Sequence, residues 1–559
     1  MTGGGRASCI TGTQLRLLQH RPRDGLADIN SSESGSMATT SADNRSISSG
    51  LRQRLAARAR GASAWERLSP LDDEMLGHER LAPHISSDCP WLLVYRGRCP
   101  DEEEFVQHVA QRLDGIPKLR RKLAFPPLAV SRPLWVEDEG FDLRRHVGVL
   151  REPRHHGPDG WLRYIGETSA TPLDKSRPPW RLELAPGGGD GTFAVIFRHN
   201  HVLADGHSAL AILRSLLVDA PADRTVAPSG VAVPGALSLL WRDAMALGGL
   251  VPRAGRSLRA CAGRWDEVAG GIREPALALA ELVLMLIRDP TPPRLAPLNR
   301  PLGPRRRAAE VALPLAEVSA ISEAAGCFPN EIYLATLAGG LRSFLRAEGV
   351  AVDTLKPVRA GVLVNVGGRR DPARPGNHIS GVPVALPVAE PDPLRRLSAV
   401  RSSTKRISTT RLVHGFQVLN AIQRIVPSFF IRHVARLSIS PRTTINLVAS
   451  HMVPPRRLGS FAGRRLERLS SWTFLPADHT ISFVCHSYGD FVTIGLLAEP
   501  DLVDADALCD HLRAAHRELL EAARDLGGRC DSSTLDRCRP GPLMSAAHRP
   551  VSAAGRGRS

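Results

Sequence analysis

Lysine is nearly missing from this chain of 559 residues. Lys118, Lys122, Lys175, Lys356 and Lys405 are the full set, so arginine supplies almost all the positive charge behind a net charge of +17. Arginine, alanine and glycine in excess are what a GC-rich genome produces, so the basic balance by itself names no partner. The nine cysteines contain no CxxC pair and no metal-like spacing; even Cys530 and Cys538, with seven residues between them, match no metal signature. They read as free thiols in a reducing compartment, with no metal site. The N-terminus lacks the apolar core of a signal peptide, and no run reaches the ~18 apolar residues of a membrane span. The longest candidate, "ALALAELVLMLI" at 276–287, reads as a buried or membrane-surface helix. Aromatic residues make up 5% of the chain and do not interleave with the arginines of either terminus, which argues against a nucleic-acid platform. These absences together describe a cytoplasmic protein, at most peripheral to a membrane or lipid droplet.

The length exceeds that of one typical domain, so two lobes of roughly 200 residues are expected. Residues 1–65 are rich in Ser, Gly, Arg and Ala without hydrophobic period and read as a disordered basic segment, with Met37 a second candidate start. An N-terminal lobe is expected over 66–220, then a Pro-, Ala- and Arg-rich connection with helical patches over 221–295. A C-terminal lobe over 296–525 and a disordered basic tail over 526–559 complete the chain. In "DEEEFVQHVAQRLDG", Phe105, Val106, Val109 and Leu113 recur at helical spacing. Strand-like runs stand at "WLLVY" (91–95) and "TFAVIFRHNHV" (192–202), and "HTISFVCHSYGDFVTIGLLAE" (479–499) reads as a hairpin about "YGD". Strands alternate with helices in both halves, which predicts α/β lobes with mixed sheets.

Chemistry concentrates in "FRHNHVLADGHSALAIL", residues 197–213. If 192–202 is a strand, alternation puts Phe193, Val195, Phe197, His199 and His201 on one face and Arg198 and Asn200 on the other. His201 is then the last of its row, held by the sheet but able to reach a cleft. Gly206 permits a tight turn before a helix. Asp205 either orients the imidazole as a triad carboxylate does, or pins the turn through an arginine pair and a helix-start hydrogen bond. The spacing alone leaves both open.

The stretch resembles the HHxxxDG motif of the wax ester synthase/acyl-CoA:diacylglycerol acyltransferase family, within the condensation-domain-like acyltransferases. Other elements are similar to that family in the same order: "SPLDDEML" (69–76), Pro133-Leu134-Trp135, "TPLDKSRPPWRLEL" (171–184), "APLNRPLGPRRR" (296–307), "PNEIYL" (329–334), "RPGNHISGVPVALPV" (374–388), "TTINLVAS" (443–450) and "HSYGDFVTIGL" (486–496). The resemblance covers about residues 66–525. It implies a two-lobed, chloramphenicol-acetyltransferase-like α/β fold with His201 in a central channel. It implies acyl transfer from acyl-CoA to diacylglycerol or a long-chain alcohol, giving triacylglycerol or wax ester. His201 would be the general base and Asp205 structural, with no metal and no cofactor beyond the acyl-CoA co-substrate. The chain departs from the family where Asn200 replaces the first motif histidine, where Glu331 follows Asn330 in place of an aspartate, and where "TTINLVAS" lacks the usual glycine-proline ending. Those departures keep two alternatives open: a catalytically impaired lipid-binding relative, and a condensation-type enzyme with another acceptor.

Weaker candidates read as structural. Asn330 is an N-cap; Trp135 is core or a support for the site; His155 and His156 lie in an exposed loop. "APGGGDGTF" (185–193) is a hairpin turn rather than a phosphate cradle. The arginines of "GPRRR" (303–307) form a solvated face, or pair with Asp205 or CoA phosphates.

Overall fold

Continuous apolar runs make the central strands of the first half, and 3.6-residue periodicity its helices. The structure is a computed structural model in which residues 65–527 are described, apart from short breaks and longer ones over most of 220–264, 366–374 and 426–444. Segment 1–64 with Met37, and 528–559 with Cys530 and Cys538, lie outside the described residues. In chain order the first half forms β1 (Trp65–Arg67), α1 (Pro70–Glu79), β2 (Asp88–Arg96), α2 (Glu102–Leu113), β3 (Arg121–Ala124), β4 (Leu134–Glu137) and β5 (Val147–Val149). It continues with α3 (Gly157–Ser169), β6 (Trp180–Pro186), β7 (Thr192–Asn200) and α4 (Gly206–Leu217). Caps set these starts. Ser69 accepts the Asp72 amide ahead of α1, whose first residue is Pro70, and Asp101 accepts the Glu104 amide ahead of α2. The apolar stripe of α2 buries Phe105, Val106, Val109 and Leu113, as its spacing requires.

Helix α5 (Trp265–Arg288) runs through the connection and contains the "ALALAELVLMLI" run. The second half adds β8 (Arg307–Pro314), α6 (Leu315–Ala325), α7 (Pro329–Ala347), β9 (Val358–Asn365), β10 (Ile379–Leu386), α8 (Pro393–Thr409) and α9 (Leu412–Ile425). Then follow β11 (Leu447–Met452), β12 (Ser460–Phe461), β13 (Arg464–Ser471), β14 (Ile481–Tyr488), β15 (Phe491–Ala498) and α10 (Ala505–Gly527). The hairpin expected about "YGD" is β14–β15, closed where Tyr488 faces Phe491 and Gly489 takes a left-handed φ of 61°.

Two six-stranded mixed sheets dominate, in the orders β12-β13-β2-β7-β6-β5 and β10-β9-β11-β14-β15-β8, with a small β1-β4-β3 sheet beside the first. The β5–β6 pair and both pairs of β11 are parallel. Strand β7 is buried on both faces. Phe193, Val195 and Phe197 join Phe105 and Leu213 in one core, while Ala194 and Ile196 join Trp161 and Trp472 in another. Among these elements β12 and β13 come from the second half yet extend the first sheet beside β2. Division at 296 by sequence does not show this exchange, because strand pairing depends on register and not on chain order.

The sheets meet where β13 approaches β15 and β8. The Thr493 hydroxyl donates to Leu469 O at 2.9 Å, Trp472 Nε1 to Ala309 O at 2.9 Å and Ser470 Oγ to Glu310 Oε2 at 2.7 Å. A Cβ on Gly495 would lie 2.2 Å from the Ser471 carbonyl oxygen, so only glycine lets these backbones touch. Gly495→Ala is therefore expected to cost about 1–3 kcal/mol by overpacking. A urea midpoint equal to that of the natural chain would contradict this account of the contact.

Candidate active site

The first-half wall of the site is the end of β7. Its register sets Cys89 against His199 and Asp88 against Asn200, and the His201 amide donates to Ser87 O at 2.8 Å just beyond the last pair. The chain turns there, with the Leu203 amide bonded to Asn200 O. His199 and His201 both line a cavity of about 60 Å³ between the two large sheets. Trp91, His207 and Gly206 of the first half share it with His451, Met452 and Trp472 of the second. The ring of His201 meets Phe474 edge-on, with centroids 5.7 Å apart. Its Nδ1 is buried without a hydrogen-bond partner. Burial holds its pKa below the ordinary histidine value, against the pull of the Asp205 and Asp72 carboxylates. His199 is committed instead: its Nε2 pairs with Ala204 O at 3.1 Å, and burial pushes its pKa down to about 3.

Asn200 faces away from the cavity. Its amide donates to Glu79 Oε1 at 2.7 Å and Asp88 Oδ1 at 2.9 Å, while its own oxygen accepts the Val202 amide. Lys175 closes this buried network by pairing with Glu79 at 2.6 Å. Asp205 caps α4, accepting the Ser208 amide at 2.9 Å, and is wholly buried. Of the two roles open to it, the helix-start bond is present. The orienting bond is not, since His201 Nδ1 has no partner. Gly206 corrects its expectation. It is the first residue of α4 and has no left-handed φ; a Cβ there would instead meet Met452 at 3.2 Å, narrowing the cavity.

The second half clamps this turn through Pro375–Asn377. The Asp205 amide and the Ser208 hydroxyl both donate to Gly376 O, and Lys118 Nζ donates to Pro375 O at 2.7 Å. Asn377 Nδ2 bridges the Asp72 carboxylate and His201 O. Burial raises the pKa of Asp72, opposed by hydrogen bonds from Ser69 and Asn377. Trp135 does not line the cavity; it is buried in β4, and Lys118 Nζ lies 5.0 Å from its ring centre. It reaches the site only through that lysine.

Asn330 is not an N-cap: α7 begins at Pro329 after Phe328, and Asn330 is half-buried in its first turn. The stabilising carboxylate is Glu331, whose Oε2 accepts the Phe328 amide at 2.9 Å and Oε1 the Thr404 hydroxyl. Neither lines the cavity. His155 is buried, not exposed, and pairs with Glu167 at 2.9 Å, because α3 folds back over it. None of the arginines of "GPRRR" pairs with Asp205: Arg306 is buried against Glu499 at 2.9 Å, and Arg305 and Arg307 pair with Asp501 and Asp506. Among the described residues no cluster of His, Cys, Asp or Glu is arranged to hold a metal. The five described cysteines, Cys89, Cys99, Cys327, Cys485 and Cys509, are free. Sequence reasoning passed over Asp72, Asn377, His207 and His451. All but His451 lay inside quoted elements but gained meaning only when those elements met.

The sequence model described as the wax ester synthase/diacylglycerol acyltransferase catalytic domain matches residues 68–333, and that of the C-terminal domain of the same enzymes matches 375–520. A curated relative from Mycobacterium tuberculosis (strain ATCC 25618 / H37Rv), named a diacylglycerol O-acyltransferase, is 28% identical over 445 residues, spanning 79% of this chain and 92% of the relative. Among solved structures, the wax ester synthase/diacylglycerol acyltransferase from Marinobacter aquaeolei VT8 superposes with a TM-score of 0.55 at 20% identity, covering 82% of this chain and all of that one. The first condensation domain of the calcium-dependent antibiotic synthetase superposes at 0.54 and 16% identity, over 83% and 98%. The two solved structures speak for the fold alone, and it is the two-lobed α/β fold expected from the sequence.

Proposed function

The chain belongs to the wax ester synthase/diacylglycerol acyltransferase family and is an O-acyltransferase of that type, and we propose that His201 is the general base of its transfer step. The observation that carries this is the imidazole at the end of β7, which lines the cavity and whose Nδ1 has no hydrogen-bond partner. A depressed pKa keeps it in the base form at neutral pH. The acceptor hydroxyl gives its proton to Nε2 as its oxygen adds to the thioester carbonyl carbon. The tetrahedral adduct then collapses, the C–S bond breaks, and the leaving CoA thiolate takes the proton from the imidazolium. The step uses the two substrates and the chain's own groups, with no metal and no further cofactor.

The other residues hold that imidazole in place. Asp205 shapes the turn as the cap of α4; Asn200 anchors the back of β7 in the Glu79–Asp88–Lys175 network; Asn377 fixes the His201 carbonyl. Replacing a motif histidine by Asn200 thus alters packing behind the strand and leaves the reacting face unchanged. Glu331 and Asn330 act through the start of α7, and Trp135 through Lys118. Curated relatives named for diacylglycerol support diacylglycerol as the acceptor and triacylglycerol as the product. Release of free CoA thiol from palmitoyl-CoA, with diacylglycerol and hexadecanol offered in parallel, tests this. Faster release with hexadecanol would make the product a wax ester instead, and no release with either would sink the transfer reading.

We also propose peripheral contact with a lipid surface. No helix of the described residues is long and apolar enough to cross a membrane. Helix α5 nonetheless leaves Leu277, Val283 and Leu284 exposed, while Gly415 of α9 packs so close to its other side that a Cβ there would lie 2.5 Å from Ala278 O. A net charge of +17 favours anionic head groups. Flotation with phosphatidylglycerol-containing vesicles should carry the natural chain and leave L277E/V283E/L284E behind; equal flotation of both would contradict it.

A further inference from the structure

Strand β11 brings to the cavity a histidine that the transfer step written above leaves idle. His451 sits near the end of the strand, paired in register with Cys485 of β14, on the wall that the second half contributes. Its Nε2 is buried without a hydrogen-bond partner. Its ring stacks on Tyr333 of α7, centroids 5.9 Å apart, and the Tyr333 hydroxyl is itself buried without a partner. The neighbouring polar side chains of the wall each bond the protein through one atom. His486 Nε2 bonds Ser471 Oγ at 2.6 Å, Trp472 Nε1 bonds Ala309 O, and His199 bonds Ala204 O. A buried polar group left unpaired costs about 1–3 kcal/mol, and native proteins keep few of them. His451 and Tyr333 stand side by side with such groups, His451 on the cavity wall, and that marks a place where a ligand supplies the missing partner.

Resting on the acyl-transfer reading, we propose that His451 donates a hydrogen bond to the carbonyl oxygen of the acyl thioester and holds the oxyanion formed when the acceptor oxygen adds. A neutral imidazole always carries one N–H to donate, and burial, which pushes the pKa of His451 down to about 4, keeps it neutral. As the new C–O bond forms, the carbonyl π pair moves onto oxygen, opposite the N–H. When the carbonyl re-forms, that pair returns, the C–S bond breaks, and the thiolate takes its proton from His201. His451 neither gains nor loses a proton. Donors aimed at such an oxygen in a water-poor site typically contribute 10²–10³-fold in rate. His451 follows directly on "TTINLVAS", the element that lacks the glycine-proline ending expected from the family resemblance.

The test compares the natural chain, His451→Ala and His451→Gln by thiol release from palmitoyl-CoA, with binding of a palmitoyl-CoA thioether, which has no carbonyl, measured on each. Expected are a kcat lowered about 10²–10³-fold in His451→Ala with KM within about threefold, at least tenfold recovery in His451→Gln, whose amide still donates, and unchanged thioether binding. The acid limb of the pH–rate profile should stay where it is, since it belongs to His201. Release by His451→Ala within threefold of the natural chain overturns the assignment. So does equal impairment of both variants with thioether binding lost, which marks a packing role, or an acid limb that disappears with His451. A natural chain that releases no thiol overturns the transfer reading and this assignment together; an active natural chain with an indifferent His451→Ala overturns this one alone.

Discussion

His201→Ala is expected to slow acceptor-dependent release of CoA thiol by about 10²–10⁴-fold, the range in which a positioned general base acts. The loss should fall on kcat more than on KM, because the proposed base meets the reacting hydroxyl and has little part in holding the acyl chain. His199 offers no substitute, being tied to Ala204 O and pushed down to about 3 by burial. The natural chain should lose activity on acidification with a midpoint below the usual histidine value of about 6.5, since burial disfavours the imidazolium. The residual rate of the variant should lack that limb. Undiminished release by a folded His201→Ala would remove His201 from the mechanism.

The second large effect is on stability. Four histidines around the cavity are held neutral, three buried and His451 half-buried: His199 and His486 are pushed down to about 3, His451 to about 4, and His201 below its ordinary value. Their folded pKa values lie below the unfolded one of about 6.5, so on acidification the unfolded chain binds protons that the native chain refuses. Their stabilisation is fully present above pH ~6.5 and drains away as pH falls toward the folded values, at about 1.4 kcal/mol per pH unit for each. His199, His486 and His451 together amount to about 4 kcal/mol per unit near pH 5, a large share of a typical folding free energy, and His201 adds in the same direction. Glu74, raised by burial to about 7, acts in the opposite sense, since the folded chain keeps its proton where the unfolded chain loses it; Asp72 and Asp88, also raised, do the same. His108, His146 and His516, all lowered by burial, add to the loss. The urea midpoint should therefore fall between pH 7 and pH 5, and His486→Gln should make that decline shallower. A midpoint that is flat or rises over this range would show that these imidazoles are charged in the folded chain.

Much of the fold was legible because its signals are local. The stripe Phe105, Val106, Val109, Leu113 made α2, and "YGD" closed the β14–β15 hairpin. Alternation along β7 put His199 and His201 on the cavity side and Asn200 behind, as strand geometry demands. Where local reasoning failed, a contact from far along the chain had replaced the local cue. Gly206 looked like a turn glycine, yet its missing side chain makes room for Met452. Asn330 looked like a cap, but Phe328 and Pro329 start the helix and Glu331 supplies the side-chain acceptor.

The sequence by itself determined the α/β class, the family, and the strand end that carries His201, because periodicity and ordered motifs survive without coordinates. Only the tertiary structure decided what surrounds that histidine. Asp72, Asn377 and His451 lie 129, 176 and 250 positions from His201 in the chain. They meet it because β13 crosses to the first sheet and the Pro375–Asn377 arm reaches the turn after β7. Those contacts depend on register and on the fit of two sheets, and no stretch of neighbouring residues encodes either.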